Sequence, residues 1–204
     1  RVVSVAFATS PGQRMFALVL APGKERRSPG VLRTGISRST IIEYLYDRMR
    51  LLPKVTELHL TDTEVKAIPI RMQMLLAGQL DAAVLPEPLA TLALAQGATL
   101  VATDESLDMP LTVLCLRKER LADAGPFRAA YAQAVTRLNS DPERYRELMA
   151  SACRIPPPLV PTFPIYTFPQ PALPAEEHIW PVQQWMLSRG LLTNSMRHAD
   201  LVAP

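Results

Sequence analysis

Between residues 31 and 117 the chain alternates short apolar runs with helix-forming segments, and its punctuation fits a βα repeat. Strands are expected at residues 31–36, 65–68, 82–85, 100–103 and 111–116. Helices are expected from about Thr40 to Leu51, from Pro69 to Gly78 and from about Leu89 to Gln96. Gly78 and Gly97 fall where a helix C-terminus needs a left-handed residue. Pro69 suits a first helical turn, where its missing N–H would be unpaired in any case. The strands read as apolar on both faces, the pattern of strands covered by helices. This alternation commits the segment to an α/β sheet. Two of its strand-to-helix turns are polar, Ser37-Arg38-Ser39-Thr40 and Pro86-Glu87-Pro88. Open α/β sheets bind ligands at the carboxyl ends of neighbouring strands, so the pair marks a binding cleft.

The flanks differ in character. Residues 2–7 and 15–20 read as two strands around Ser10-Pro11-Gly12, and residues 21–30 as a Pro/Gly/charged connector. Beyond Leu116, helices are expected at 126–138 and 141–152, the second opened by Asp141-Pro142-Glu143. Residues 155–174 hold eight prolines in twenty positions, which predicts an extended connector over a surface. A last helix is expected at about 175–189, ended by Gly190 and kinked by Pro181. No internal repeat is present.

With 48% hydrophobic and 20% charged residues the chain can bury a core, which excludes intrinsic disorder. Its net charge of +3 is small and its basic residues are scattered. The densest cluster, Lys24, Arg26 and Arg27, contains Glu25 and reads as a solvated loop, so no nucleic-acid partner is expected. No segment reaches the ~18 consecutive apolar residues of a membrane span. No signal peptide is read, and a chain whose first residues already form a strand is expected to lack an upstream part. Cys115 and Cys153 make neither a disulfide framework nor a metal spacing, and a bridge between them stays open. Cys115, inside an apolar run, is expected to be a buried inert thiol.

Several residues carry candidate chemistry. Helix N-termini present free N–H groups and a partial positive charge, so Ser37, Ser39 and Thr40 fit a polar or anionic ligand. Thr40-Ile41-Ile42-Glu43 also matches a capping box, and both roles hold together if Thr40 caps while Ser37 and Ser39 face the cleft. Arg38 reaches a carboxylate, sulfonate or phosphate, or is simply solvated. Two prolines fix Glu87 in a stiff turn, where its target is a ligand amine or the next helix. Ser10, Gln13 and Arg14 lie between two strands. Arg71 points to the cleft or pairs locally. Met72, Met74, Leu75 and Leu76 read as core. No catalytic residue, metal or cofactor is expected: His59, His178 and His198 are far apart, and no G-x-S-x-G, phosphate-binding glycine loop or C-x-x-C occurs.

The runs from Thr34 to Tyr44, from Ile68 to Ala83 and from Leu85 to Pro88, with Trp185 to Leu192, resemble the solute-binding proteins of ABC importers. The likeness is to the NMT1/THI5-like branch, related to the SsuA and TauA binders of alkanesulfonate and taurine and to nitrate binders. It implies a periplasmic-binding-protein-like (type 2) α/β fold of two lobes, the second lobe complete and the first partial. Residues 1–24 would end lobe one and supply a crossing strand, 25–112 would be lobe two, and 113–204 the return strand, lobe-one helices and tail. The resemblance implies capture of a small polar or anionic solute, such as a thiamine-precursor pyrimidine, a sulfonate or nitrate, between the lobes. The expected ligand-binding residues are Ser37, Arg38, Ser39, Thr40, Glu87 and Ser10. The implied partner is an ABC permease, and the implied location periplasmic or membrane-anchored and extracytoplasmic. With part of lobe one missing, the chain alone is expected to bind solute weakly or not at all, and to self-associate through an apolar face on residues 126–152 unless the missing part is supplied. The alternatives are an enzyme of THI5-like pyrimidine synthesis on the same fold, or the ligand-sensing domain of a regulator.

Overall fold

A computed structural model describes residues 2–26 and 30–204, so Arg27 of the basic cluster lies outside the described residues. The elements in chain order are β1 (Val2–Phe7), β2 (Phe16–Leu20), β3 (Leu32–Ile36), α1 (Ile41–Met49), α2 (Pro53–Thr56), β4 (Leu60–Glu64), α3 (Ile68–Leu76), β5 (Ala82–Pro86), α4 (Leu89–Ala95), β6 (Thr99–Thr103), β7 (Val113–Arg117), α5 (Ala124–Ser140), α6 (Arg146–Ala152), α7 (Glu176–Ser188) and α8 (His198–Leu201). They form two compact units. The central unit holds residues 12–108 and 155–163, and the terminal unit holds the residues up to 11 with 109–154 and 164–204.

The central unit is built on a five-stranded sheet of order β4-β3-β5-β2-β6. β3 runs parallel to β4 and to β5, while β2 runs antiparallel to both β5 and β6. The carboxyl ends of β3, β4, β5 and β6 therefore share one edge with the start of β2. Ala17, Val19, Ala83 and Leu85 turn one face of the sheet toward Leu75 of α3 and Ala90 and Ala93 of α4. Alternate residues Leu18, Leu20 and Val84 are equally buried, and α1 packs on the sheet with Ile42, Leu45, Tyr46 and Met49 inside. Burial on both faces explains the unbroken apolar reading of β2 and β5.

The fourth strand corrects the sequence reading. It spans Leu60–Glu64, whereas residues 65–68 lead from it into α3. β4 is an edge strand with three of its five residues exposed, so it is written in Thr, Asp and Glu and carries no apolar run. α3 ends as expected, with Gly78 at φ +70° and the Gln79 N–H on the Met74 carbonyl at 2.8 Å. Gly35 has a different role. An added Cβ would lie 2.7 Å from Leu80 Cδ1 and 2.8 Å from Arg71 Cγ, so the strand carries a glycine there because the Leu80 and Arg71 side chains lie across it.

In the terminal unit β1 and β7 pair antiparallel with an irregularity between Ser4 and Ala6, and Val202 bridges to Ser4 in parallel. Val3, Val5, Ala124 and Ala203 form its small core with Leu114, Leu116, Leu121 and Leu173 against them. Strand alternation corrects the expectation for Cys115. Leu114 and Leu116 pack on that core, and Cys115 is exposed on the opposite face. Both cysteines are free thiols.

The proline-rich segment has few N–H groups, so side chains anchor it. Asn139 Nδ2 donates to the Phe168 carbonyl at 2.8 Å, and its Oδ1 accepts the Phe168 N–H at 3.0 Å. Gln183 clamps the backbone of Met196 in the same two-way fashion, at 3.0 and 2.6 Å. α7 runs through Pro181. α5 buries only Ala124 and Val135 among its residues, while Phe127 and, on α6, Leu148 are exposed.

Gly35→Ala should lower stability by about 1–3 kcal/mol, because the new methyl overpacks against the Arg71 stem. Urea unfolding at neutral pH reads this directly. An unchanged midpoint would show that Arg71 does not lie where Gly35 admits it.

Candidate functional site

The carboxyl edge of the central sheet gathers the β3–α1 turn, the β4–α3 turn, the β5–α4 turn and the segments flanking β2 and β6. In the first of these Ser37 is buried and Arg38, Ser39 and Thr40 are exposed. Ser39 sits at φ +59°, a left-handed position that turns the chain into α1. Thr40 caps that helix. Its Oγ1 accepts the Ile42 N–H at 3.2 Å and donates to the Ser37 carbonyl at 2.8 Å. Glu43 completes the end one residue earlier than a standard box would place it, since its Oε2 accepts the Ser39 N–H at 2.6 Å rather than that of Thr40. The left-handed Ser39 aims its N–H at that carboxylate. The side chains of Arg38 and Ser39 make no hydrogen bond among the described residues and face solvent.

Beneath the turn lies Arg71, which is fully buried. Its Nε and Nη2 donate to the Val65 carbonyl at 3.1 and 2.6 Å, and Nη1 donates to the Val84 carbonyl at 2.8 Å. Nη2 also donates to Ser37 Oγ, whose own hydrogen reaches toward the Lys66 carbonyl at 3.5 Å. Ser37 is thus engaged from inside the protein. Burial lowers the Arg71 pKa to about 10, which leaves the group charged at neutral pH.

The second polar turn is held by ionic contacts. Glu87 is all but buried; its Oε1 pairs with Arg14 Nε at 2.8 Å and its Oε2 accepts the Thr91 N–H at 3.1 Å. Arg14 Nη2 donates to Thr91 Oγ1 at 3.0 Å, tying the start of β2 to the start of α4. The Glu87–Pro88 peptide is cis. Next to them Asp104, which the sequence reading passed over, accepts the Met15 and Phe16 N–H groups at 3.0 and 2.9 Å. Its signal was available: it is the acidic residue that directly follows β6. Burial raises its pKa to about 6 against the pull of those N–H groups. At the opposite end of the sheet, Asp81 binds Lys24 at 2.9 Å and Arg33 at 3.3 Å.

Five of the six expected site residues therefore meet at one edge of the central unit: Ser37, Arg38, Ser39 and Thr40 in one turn and Glu87 in another. Ser10 belongs to the terminal unit, where its Oγ donates to the Thr167 carbonyl at 3.1 Å. Among the described residues no group of three His, Cys, Asp or Glu is placed to hold a metal, and no helix is long and apolar enough to cross a membrane. The terminal unit has its own groove of about 410 Å³, lined by Phe7, Val113, Ile179, Met186 and Met196, with Cys115 opening into it. Few polar groups line it. The sheet edge, with its hydroxyl, backbone and guanidinium donors, is equipped to hold a polar solute.

The chain is similar in fold to several solved structures. The aliphatic sulphonate binding protein SsuA of Escherichia coli matches over 99% of this chain and 73% of its own, with TM-score 0.73 and 16% identity. The zinc-bound ligand binding component of an ABC-type import system from Staphylococcus aureus matches over 100% and 72%, with TM-score 0.70 and 15% identity. The desulfurization enzyme DSZB matches over 100% and 77%, with TM-score 0.68 and 14% identity. No family model matches the sequence, and neither does any curated protein. The chain has the α/β fold of periplasmic solute-binding proteins.

Asp104 allows a direct check on the electrostatics of this edge. Its folded pKa lies above the ordinary value of 3.8, so the native state holds the proton more tightly and loses stability as pH rises from about 4 to 6. Asp104→Asn keeps an acceptor for the two N–H groups without the charge. The variant should gain on the wild type by about 1–3 kcal/mol between pH 4 and pH 7. Denaturant unfolding across that range measures the gain, and a constant difference would contradict it.

Proposed function

We propose that the chain is the solute-binding part of an ABC importer and that the β3–α1 turn is one wall of its binding site. The observation that carries this reading is the turn itself: solvent-facing Arg38 and Ser39 at the N-terminus of α1, on a fold shared with import-system binding proteins. The proposed solute is small and polar or anionic, in the range of sulfonate, nitrate or a hydroxymethylpyrimidine. Arg38, Ser39 and Thr40 are its contacts. Ser37 shapes the turn from behind, and Glu87 acts through Arg14. The proposed partner is a membrane permease and the proposed location extracytoplasmic. DSZB demonstrates that the fold also carries an enzyme. The binding reading is preferred because the import-system binding proteins among the similar structures share this fold.

Thermal unfolding in 20 mM sodium ethanesulfonate, sodium nitrate or the neutral pyrimidine, against equal ionic strength of NaCl, tests the reading. For a millimolar Kd, 20 mM ligand stabilises by about 2 kcal/mol, a rise of several degrees in Tm. Arg38→Ala should remove most of that rise. No response to any of the three, or a response unchanged in Arg38→Ala, would overturn the assignment. The exposed Phe127 and Leu148 support self-association as part of the same proposal. Sedimentation should then show a mass that grows with concentration, and a strict monomer throughout would remove that element.

A further inference from the structure

We infer that Arg71, which no solute can touch, sets the charge preference of the Ser37–Thr40 turn and makes it select anions. The inference rests on the reading of that turn as a solute wall.

Every acceptor of the Arg71 guanidinium is neutral: the Val65 and Val84 carbonyls and the Ser37 hydroxyl. Among the described residues no carboxylate contacts it. Elsewhere near the sheet Arg14 pairs with Glu87, and Lys24 and Arg33 share Asp81, while Arg26 on the β6 carbonyls and Arg38 are exposed to solvent. A buried charge without a counter-charge is costly, and proteins seldom retain one that only fills space. The sequence has nonetheless made room for it, with a glycine at position 35 whose Cβ would strike the Arg71 stem. A leucine or methionine on α3 would cover the same strand without that cost.

The charge lies one hydrogen bond behind the exposed turn. Nη2 donates to Ser37 Oγ, and Ser37 is followed directly by solvent-facing Arg38, Ser39 and Thr40. Charge held inside the protein is screened far less than charge on the surface, so its potential reaches the solvent side of the turn. There it adds to the positive end of α1 and to Arg38. The opposing groups are Glu43, which accepts the Ser39 N–H, and Glu64 beside Ile36 at the end of β4, which pairs with Lys66 at 3.7 Å. On the far side of the edge Glu87 is neutralised by Arg14, and Asp104 is held by two N–H groups. Positive potential therefore concentrates at the β3–α1 turn. Arg71 acts on a solute only through Ser37 and the field, which makes it a positioning residue.

The test uses two probes of one shape, ethanesulfonate and its neutral counterpart ethyl methyl sulfone. Each is titrated into the isotopically labelled chain while the backbone amides of residues 38–42 are followed by NMR. Wild type should bind the sulfonate at that turn about tenfold or more tighter than the sulfone. Arg71→Met should lose that preference, and Arg71→Lys, which keeps the charge without the planar fork, should restore most of it. Equal binding of the two probes at the turn in wild type would overturn the inference and leave the site standing. So would an undiminished preference in Arg71→Met. If neither probe moves those amides in wild type, the site reading itself falls and takes the inference with it. Should Arg71→Met fail to fold, the wild-type comparison and Arg71→Lys decide.

Discussion

Arg71 carries a guanidinium into the interior of the central unit, and three neighbouring strands are tied together by what that group requires. Val65 follows β4, Val84 is the middle residue of β5, and Ser37 follows β3; each gives the arginine an acceptor. A planar fork with five donors is suited to such a task, since it can join three backbone segments in one plane. Gly35 is the accommodation made in the sheet. With these strands tied, the turn into α1 can place Ser39 in a left-handed conformation and still satisfy its N–H through Glu43. The exposed part of the edge thus rests on a buried part that is hydrogen-bonded from within.

Electrostatics divide this edge into two halves. Toward β2, β5 and β6 the acids have dedicated partners: Glu87 bridges Arg14 and the start of α4, and Asp104 gathers the first N–H groups of β2. Toward β3, Arg38 is exposed and Arg71 buried, while Glu43 holds the Ser39 N–H and Glu64 pairs with Lys66. Polar residues that look equivalent in the sequence therefore have different work. Glu87 and Ser37 hold structure, whereas Arg38 and Ser39 remain available to solvent.

Most of the fold was legible because covered strands must be apolar on both faces and helices must be stopped. β3, β5 and β6 fall within a residue or two of their expected places, and the glycine stop at Gly78 carries the φ it was expected to have. β4 escaped the reading because an edge strand needs no apolar run, and Leu60–Glu64 looks like a polar loop. Cys115 was misplaced because an apolar neighbourhood says nothing of which face a strand residue takes. At the site, the two polar turns were visible as turns. What each side chain is bonded to was not, because Arg14, Arg71 and Asp104 reach their partners across 73, 34 and 89 positions of chain. Such pairings leave no local pattern.

Arg71 is a buried, bonded cation on which the edge depends. The exchange of its Nε hydrogen with solvent, followed by NMR at neutral pH, tests this most directly. The Arg71 Nε hydrogen should exchange as slowly as core amides in β5, and that of Arg38 fast. If the Arg71 hydrogen exchanged as fast as that of Arg38, the guanidinium would be open to water, which contradicts a buried cation holding the edge.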